Sequence, residues 1–179
     1  TAITVEEAYF AFGFGMMGMV TPWNDETQMF IRATTRSTLL SWAYNIGVPA
    51  RKWKGTVPGT PGADKSTDVV NALKNSPAPA KAIGILGAEV YDQNRSVLNV
   101  LAFRTFGQYR AYYPDSDAAK LDKANVRDGH YTVWSPTVYL YPVQAGTQTP
   151  VKADAKYVVD LIADRAVSPT PNFDSTDAV

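Results

Sequence analysis

The chain has 179 residues, of which 45% are hydrophobic and 12% aromatic, so it carries enough apolar surface for a folded core. Its 17 basic and 17 acidic residues leave no net charge, which removes the basic excess that nucleic-acid binders and anionic-membrane binders usually carry. Because cysteine is absent, disulfides, thiolate nucleophiles and cysteine-based metal sites are excluded.

The N-terminal quarter predicts a helix, a strand and a second helix. Thr4 and Glu7 form a capping-box pattern before an apolar helix that Gly13 ends. The longest apolar run, Ala8 to Val20, is broken by glycines and falls short of the ~20 residues that cross a membrane. Met29 to Ile31 predicts a short buried strand, and Thr38 to Ile46 a helix closed by Gly47.

The rest of the chain continues this alternation of helices and strands. Ser66 or Thr67 is expected to cap a helix that runs through Leu73. The glycines around the apolar run Ala82 to Gly87 predict a buried strand whose backbone is closely approached. Further elements are expected at Val97 to Phe106 (strand), Ala118 to Val126 (helix), Tyr131 to Val143 (strand) and Ala153 to Ile162 (helix). Such alternation favours an α/β protein with crossover connections.

The predicted strand at Met29 leads directly into hydroxyl and guanidinium groups at the start of the next helix. Free N–H groups, the helix dipole, hydroxyls and an arginine fork together suit an oxyanion. Alternatively, a threonine or serine here simply caps the helix and the arginines are solvated. The candidate ligand-binding residues of this segment are Arg32, Thr34, Thr35, Arg36, Ser37 and Thr38.

The other titratable motifs predict no catalysis and no metal. His130 follows Arg127 and Asp128 at a turn, but no nucleophile or orienting acid lies at a recognisable spacing, so structural packing is the better interpretation. Asp115, Asp117 and Asp122 lack the glycine and distal glutamate of a calcium loop, so we expect helix capping there. We therefore predict a protein that is not an enzyme and has no cofactor.

The order of short motifs along the chain resembles that of the two-lobed periplasmic substrate-binding proteins of type 2, in particular the phosphate-type solute-binding proteins of bacterial ABC transporters. The resemblance runs from Glu6 to about Ala163. The motifs that carry it are Glu7-Ala8-Tyr9, Phe12-Gly13-Phe14-Gly15, Pro22-Trp23, Arg32 with Arg36-Ser37-Thr38, Lys52-Trp53-Lys54-Gly55, Ala82-Ile83-Gly84-Ile85-Leu86, Leu101-Ala102-Phe103, Tyr113-Pro114-Asp115 and Asn125 to Tyr131.

The resemblance implies a domain organisation. Residues 1–98 would form the middle α/β lobe, residues 99–167 the segment that returns into the first lobe, and residues 168–179 a flexible tail. The N-terminal part of the first lobe would be missing. A companion N-terminal fragment or self-association is therefore expected to cover the exposed sheet edges.

The resemblance also implies a function. A small anion such as phosphate would bind at the start of the helix, with Arg127 or Tyr131 closing the cleft, in a periplasmic or extracellular protein. Arg36 stands where phosphate-binding relatives carry the serine of a Ser-Gly-Thr triplet, so the identity of the anion stays open. The alternative is a structural or protein-interaction protein that keeps the fold and has lost the ligand.

Overall fold

The computed structural model describes residues 1–136 and 140–163, and it divides the chain into two compact units, Thr1–Trp134 and Ser135–Val179. Regular elements alternate along the described chain. They are β1 (Ala2–Thr4), α1 (Val5–Phe14), β2 (Met29–Phe30), α2 (Ser37–Ile46), α3 (Ser66–Lys74), β3 (Ile83–Gly84), α4 (Ala88–Asp92), β4 (Ala102–Arg104), α5 (Ala124–Arg127) and α6 (Ala153–Ala163).

The first helix begins as the sequence predicts. The Thr4 hydroxyl accepts a hydrogen bond from the Glu7 N–H (3.1 Å), and the Glu7 carboxylate accepts one from the Thr4 N–H (2.8 Å). The capping box is therefore confirmed. The helix runs one residue past the predicted end at Gly13 and continues into a 3₁₀ turn at Gly15–Gly18.

The strand at Met29 lies in the middle of a small parallel arrangement. Met29 is opposite Ile83 and Phe30 opposite Gly84, and the segment at Thr56 runs parallel to β2 on its other side. A side chain at Gly84 would lie 2.9 Å from Leu73 Cδ1 of α3. This confirms the prediction that another part of the chain lies close to the backbone of the strand at Gly84.

The second parallel pair joins β1, at the start of the first unit, to β4. Ala2, Ile3 and Thr4 of β1 lie opposite Ala102, Phe103 and Arg104 of β4. Tyr112 pairs antiparallel with Phe103 through two backbone hydrogen bonds of 2.8 and 2.9 Å. Both pairs contribute to one core, which includes Ile3, Met29, Ile83 and Phe103.

The second helix buries one face against this core. Leu39, Ala43 and Ile46 are buried, and the ring of Trp42 meets Phe103 edge-on at 5.0 Å. Gly47 ends the helix in the left-handed region, at φ 72°, which favours glycine. The helix predicted from Thr38 to Ile46 is confirmed and starts one residue earlier.

At the level of fold class, the chain is a mixture of helices and small parallel sheets. This confirms the α/β class, whereas the type 2 binding-protein arrangement stays a prediction. The predicted boundary between residues 98 and 99 also stays a prediction. The predicted tail at 168–179 lies outside the described residues.

The helix predicted from Ala118 to Val126 is wrong, because only Ala124–Arg127 is helical. Carboxylates take the backbone N–H groups there: Asp117 accepts from Ala119 and Asp122 accepts from Ser116. Asp and Asn side chains that bind nearby backbone groups in this way compete with helix formation.

The long strand predicted from Tyr131 to Val143 is also wrong over residues 131–136 and 140–143, of which only Val143 makes a bridge, to Pro150. The Tyr131 N–H donates to Asn125 O at 2.7 Å, a local contact and not a sheet contact. The high β propensity of this segment finds no neighbouring strand in the described chain. Residues 137–139 lie outside the described residues.

The second unit contains a turn and a helix. The Gln144 N–H donates to Thr149 O and the Val151 N–H donates to Pro142 O, both at 2.9 Å, which closes a turn before α6. Helix α6 confirms the predicted Ala153 to Ile162 helix and carries an ion pair between Lys156 and Asp160. Across the described residues, no helix is long and apolar enough to span a membrane.

Candidate anion-binding site

Arg32 leaves the end of β2 as a buried cation, only 7% exposed. The apolar strand before it draws the backbone into the core, and a guanidinium in that position needs partners because an unpaired buried charge is costly. Its Nε donates to Asp64 Oδ2 at 2.9 Å, and its Nη1 donates to the Ser66 hydroxyl at 2.6 Å. Arg32 is therefore held in place by the chain that leads into α3.

Asp64 is the carboxylate at the centre of this site, and sequence reasoning missed it. It is 3% exposed and accepts from Arg32, from the Ala33 N–H (3.3 Å) and from Arg36 Nε (3.0 Å). Burial alone would raise the pKa of Asp64, but hydrogen bonds from Arg32 and Arg36 outweigh it and the pKa is lowered. The carboxylate thus stays ionised and neutralises one of the two guanidinium groups.

Arg36 is the more accessible of the two arginines. Its side chain is 41% exposed, against 8% for Arg32, and its Nη2 also donates to the Asp64 carbonyl oxygen at 3.1 Å. With two guanidinium groups and one carboxylate, the cluster of Arg32, Arg36 and Asp64 carries a net charge of +1 (+2 − 1). The outer part of this charge lies on Arg36, where solvent reaches it.

The first turn of α2 begins directly after Arg36. Arg36 is the N-cap residue, and its side chain makes no capping hydrogen bond to the first-turn amides. The backbone N–H groups of Ser37 and Thr38 have no acceptor within the described part of the chain. Ser37 is exposed and Thr38 partly exposed. These are the free donors that the helix start predicts.

The alternative in which a hydroxyl caps this helix is wrong. Thr34 and Thr35 lie before the cap residue, in a turn closed by the Arg36 N–H and Ala33 O (2.9 Å), and both are exposed. Ser37 is already the first helical residue. The alternative's solvated arginines are wrong for Arg32, which is buried and paired with Asp64, whereas Arg36 is paired with Asp64 and also partly exposed.

The predicted cap of α3 is wrong for a related reason. The Ser66 hydroxyl accepts from Arg32, and the residue at the N-cap is Lys65. The Asp68 carboxylate accepts from the Lys65 N–H at 2.8 Å. The Ser66 hydroxyl, which the sequence pattern assigns to the helix cap, therefore accepts a hydrogen bond from the buried Arg32 guanidinium instead.

Arg127 and Tyr131 lie at the other end of the first unit's chain, away from this cluster in the hydrogen-bond network. Tyr131 packs on Phe103, with ring centroids 6.4 Å apart, and burial raises its pKa. Arg127 is exposed at the end of α5. Neither is joined by a hydrogen bond or ion pair to residues 32–38 among the described contacts. Their predicted part in closing a cleft stays a prediction.

His130 is exposed, and its ring stacks on Tyr112 at 4.7 Å. No group of three His, Asp or Glu side chains in residues 1–136 and 140–163 could hold a metal ion.

Asp64 could have been suspected from its place just before a helix, beside Ser66. Nothing in the sequence ties it to arginines 28 and 32 positions away. No protein-family model, curated protein or solved structure matches this chain.

Proposed function

We propose that this chain is a solute-binding module that holds a small, phosphate-like oxyanion at the start of α2 and performs no chemistry on it. The observation that carries the proposal is the juxtaposition of free Ser37 and Thr38 amides with a cluster of net charge +1. Backbone amides at a helix start and an adjacent guanidinium are the donors that an oxyanion needs.

The two arginines have different parts in this proposal. Arg32 is buried and anchors Asp64, whereas Arg36 is half-exposed and can turn one face of its guanidinium toward a ligand. The exposed hydroxyls of Thr34, Thr35 and Ser37 stand near the same helix start and add neutral donors. The ligand would gain hydrogen bonds without displacing the buried pair.

The position of the site in the fold supports the same proposal. In α/β proteins, ligands bind beyond the carboxyl ends of parallel strands, at the start of the helix that follows. Arg32 to Thr38 follow β2 in this way. The type 2 periplasmic-binding-protein fold and a periplasmic or extracellular location remain parts of the proposal, and both rest on the sequence resemblance alone.

One observation favours a second candidate function. Asp64 occupies donors of both arginines and the Ala33 N–H, which are groups that an external anion would otherwise receive. A chain with such an internal carboxylate could keep the fold as a structural or protein-interaction protein with no ligand. The two candidates differ in whether the helix start still binds an anion.

Titration calorimetry with inorganic phosphate and with sulfate separates them. We expect saturable binding of at least one of these anions, weakened about tenfold or more in Arg36→Ala because a charge-assisted hydrogen bond is lost. Arg51→Ala removes an exposed arginine from another segment and is the matched control, with unchanged binding. A folded wild-type sample that binds neither anion supports the second candidate.

A further inference from the structure

A continuous apolar face lies on α1 and on the 3₁₀ turn after it, outside the anion site. Six large side chains here are exposed, between 38% and 83%. They are Tyr9, Phe10, Phe14, Met16, Met17 and Met19, and we call them the aromatic-methionine face. Such a group of exposed apolar side chains on a folded protein marks an interaction site.

The face is built into the fold. The three rings contact one another, with centroids 5.4 to 5.7 Å apart. A side chain at Gly18 would collide with the Phe10 carbonyl oxygen, so the turn is pressed against the helix at this point. The opposite face of α1 buries Ala8, Ala11 and Phe12 in the core. The aromatic rings therefore project outward because the helix is anchored on its other side.

Carboxylates flank the face at both ends. Residues 8–20 contain no charged side chain, and the exposed Glu6 and Glu7 occupy the first turn of α1. At the other end, a Cβ at Gly15 would meet the side chain of Glu26. The basic residue Lys54 also reaches α1, through its backbone N–H to Phe12 O (2.6 Å). The charged side chains that the structure places at the two ends of the face, Glu6, Glu7 and Glu26, are thus carboxylates.

We propose that the aromatic-methionine face docks a basic amphipathic helix of a partner protein. Methionine side chains are flexible and polarizable and adapt to apolar side chains of a partner helix. An amphipathic helix lays its apolar side chains at positions i, i+3, i+4 and i+7 on such a surface. Lysine or arginine at the edges of that helix would pair with Glu6, Glu7 and Glu26.

The charge of the rim argues against two other occupants. An anionic membrane surface would be repelled by the carboxylates. A second copy would bring a second set of the same carboxylates to one interface. A basic helix is the partner that satisfies both the apolar face and its rim.

Methyl NMR of methionine tests the proposal directly. The probe is a synthetic amphipathic peptide of leucine and lysine, about 16 residues long so that it can form a helix. We expect the Met16, Met17 and Met19 methyl signals to shift on titration, while Met29, which is fully buried, stays unchanged as the internal reference.

Variants and a second peptide locate the binding and its charge preference. Phe10→Ser with Met17→Ser should weaken peptide binding about tenfold or more, since exposed aromatic anchors dominate such interfaces. Phe106→Ser removes another exposed aromatic side chain and is the control, with unchanged affinity. A peptide with glutamate in place of lysine should bind more weakly, and salt should weaken the lysine peptide.

Four results would overturn the proposal. They are no shift of the three methionines at saturating peptide, equal affinity for the lysine and glutamate peptides, shifts that depend on protein concentration without peptide, and the same shifts with phosphatidylcholine vesicles. The last two results would assign the face to a second copy or to a lipid surface.

Discussion

At the scale of single residues, two buried aspartates in the described part of the chain, Asp64 and Asp115, are each tied to cations from other segments. Asp64 binds Arg32 and Arg36, which precede it by 32 and 28 residues. Asp115 binds Arg95 at 2.6 Å and Lys123 at 2.9 Å, and Asp92 bonds to the same two cations. Because a buried carboxylate is costly when unpaired, each aspartate fixes the relative position of the segments that supply its partners.

Asp64→Asn is expected to lower the free energy of unfolding by about 3 kcal/mol at neutral pH, because two arginines lose their carboxylate partner. The lowered pKa of Asp64 means that its stabilising effect is full above its ordinary pKa of 3.8 and is lost as pH falls through the folded-state value. Urea unfolding at pH 7 and about pH 3 should therefore show a larger gap between wild type and variant at pH 7. Asp128→Asn, at an exposed position, is the control. A gap that does not shrink in acid would contradict the assigned ion pairs.

Asp115→Asn should loosen the segment between Tyr113 and α5. Asp115 Oδ1 accepts both from the Lys123 ammonium and from the Lys123 backbone N–H (2.8 Å). We expect a loss of about 3 kcal/mol in unfolding free energy and faster hydrogen exchange at the Lys123 amide. Urea unfolding and exchange measured by NMR check this. Unchanged exchange at Lys123 would show that the carboxylate does not hold this loop.

At the scale of elements, α2 connects the anion site to the core. Its first turn carries the free amides, and its buried face carries Leu39, Ala43 and Ile46. The orientation of the Ser37 and Thr38 N–H groups therefore depends on how the buried face of the same helix packs against the core. Side chains at i, i+3 and i+4 lie on one face, so Leu39 and Ala43 fix the rotation that directs Ser37 outward.

Leu39→Ala and Leu40→Ala make a matched pair on this helix. Leu39 is fully buried and Leu40 is 47% exposed. We expect Leu39→Ala to cost 2–5 kcal/mol, roughly, of unfolding free energy through lost burial and a cavity, and Leu40→Ala to cost about 1 kcal/mol or less. Thermal or urea unfolding of both variants checks the difference. Equal losses of unfolding free energy in the two variants would mean that α2 does not pack against the core through Leu39.

Elements with local signals were predictable from the sequence. The capping pair of Thr4 and Glu7 and the left-handed Gly47 each act within one or two turns, and both are found in the structure. The segment from Asp115 to Asp122 was not predictable in this way. Its carboxylates bind nearby backbone groups or distant cations, which a helix pattern does not reveal. Asp64 was missed for the same reason, because its arginine partners lie 32 and 28 residues away in the sequence.

At the scale of the whole molecule, the chain has no net charge, but its acidic and basic residues are unevenly distributed. Residues 1–31 contain four acidic and no basic side chains, and the cluster at Arg32, Arg36 and Asp64 has a net charge of +1. Zero net charge therefore excludes neither a local anion site nor an acidic docking face. The predicted companion fragment or self-association stays a prediction.

Amide NMR during a sulfate and a phosphate titration tests the central claim most directly, since it observes the proposed donors themselves. We predict saturable shifts of the Ser37 and Thr38 N–H signals, with no shift of the Glu7 N–H, which already donates to the Thr4 hydroxyl. Ser37 and Thr38 signals that do not move with either anion, in a folded sample, would contradict the assignment of the α2 start as an anion site.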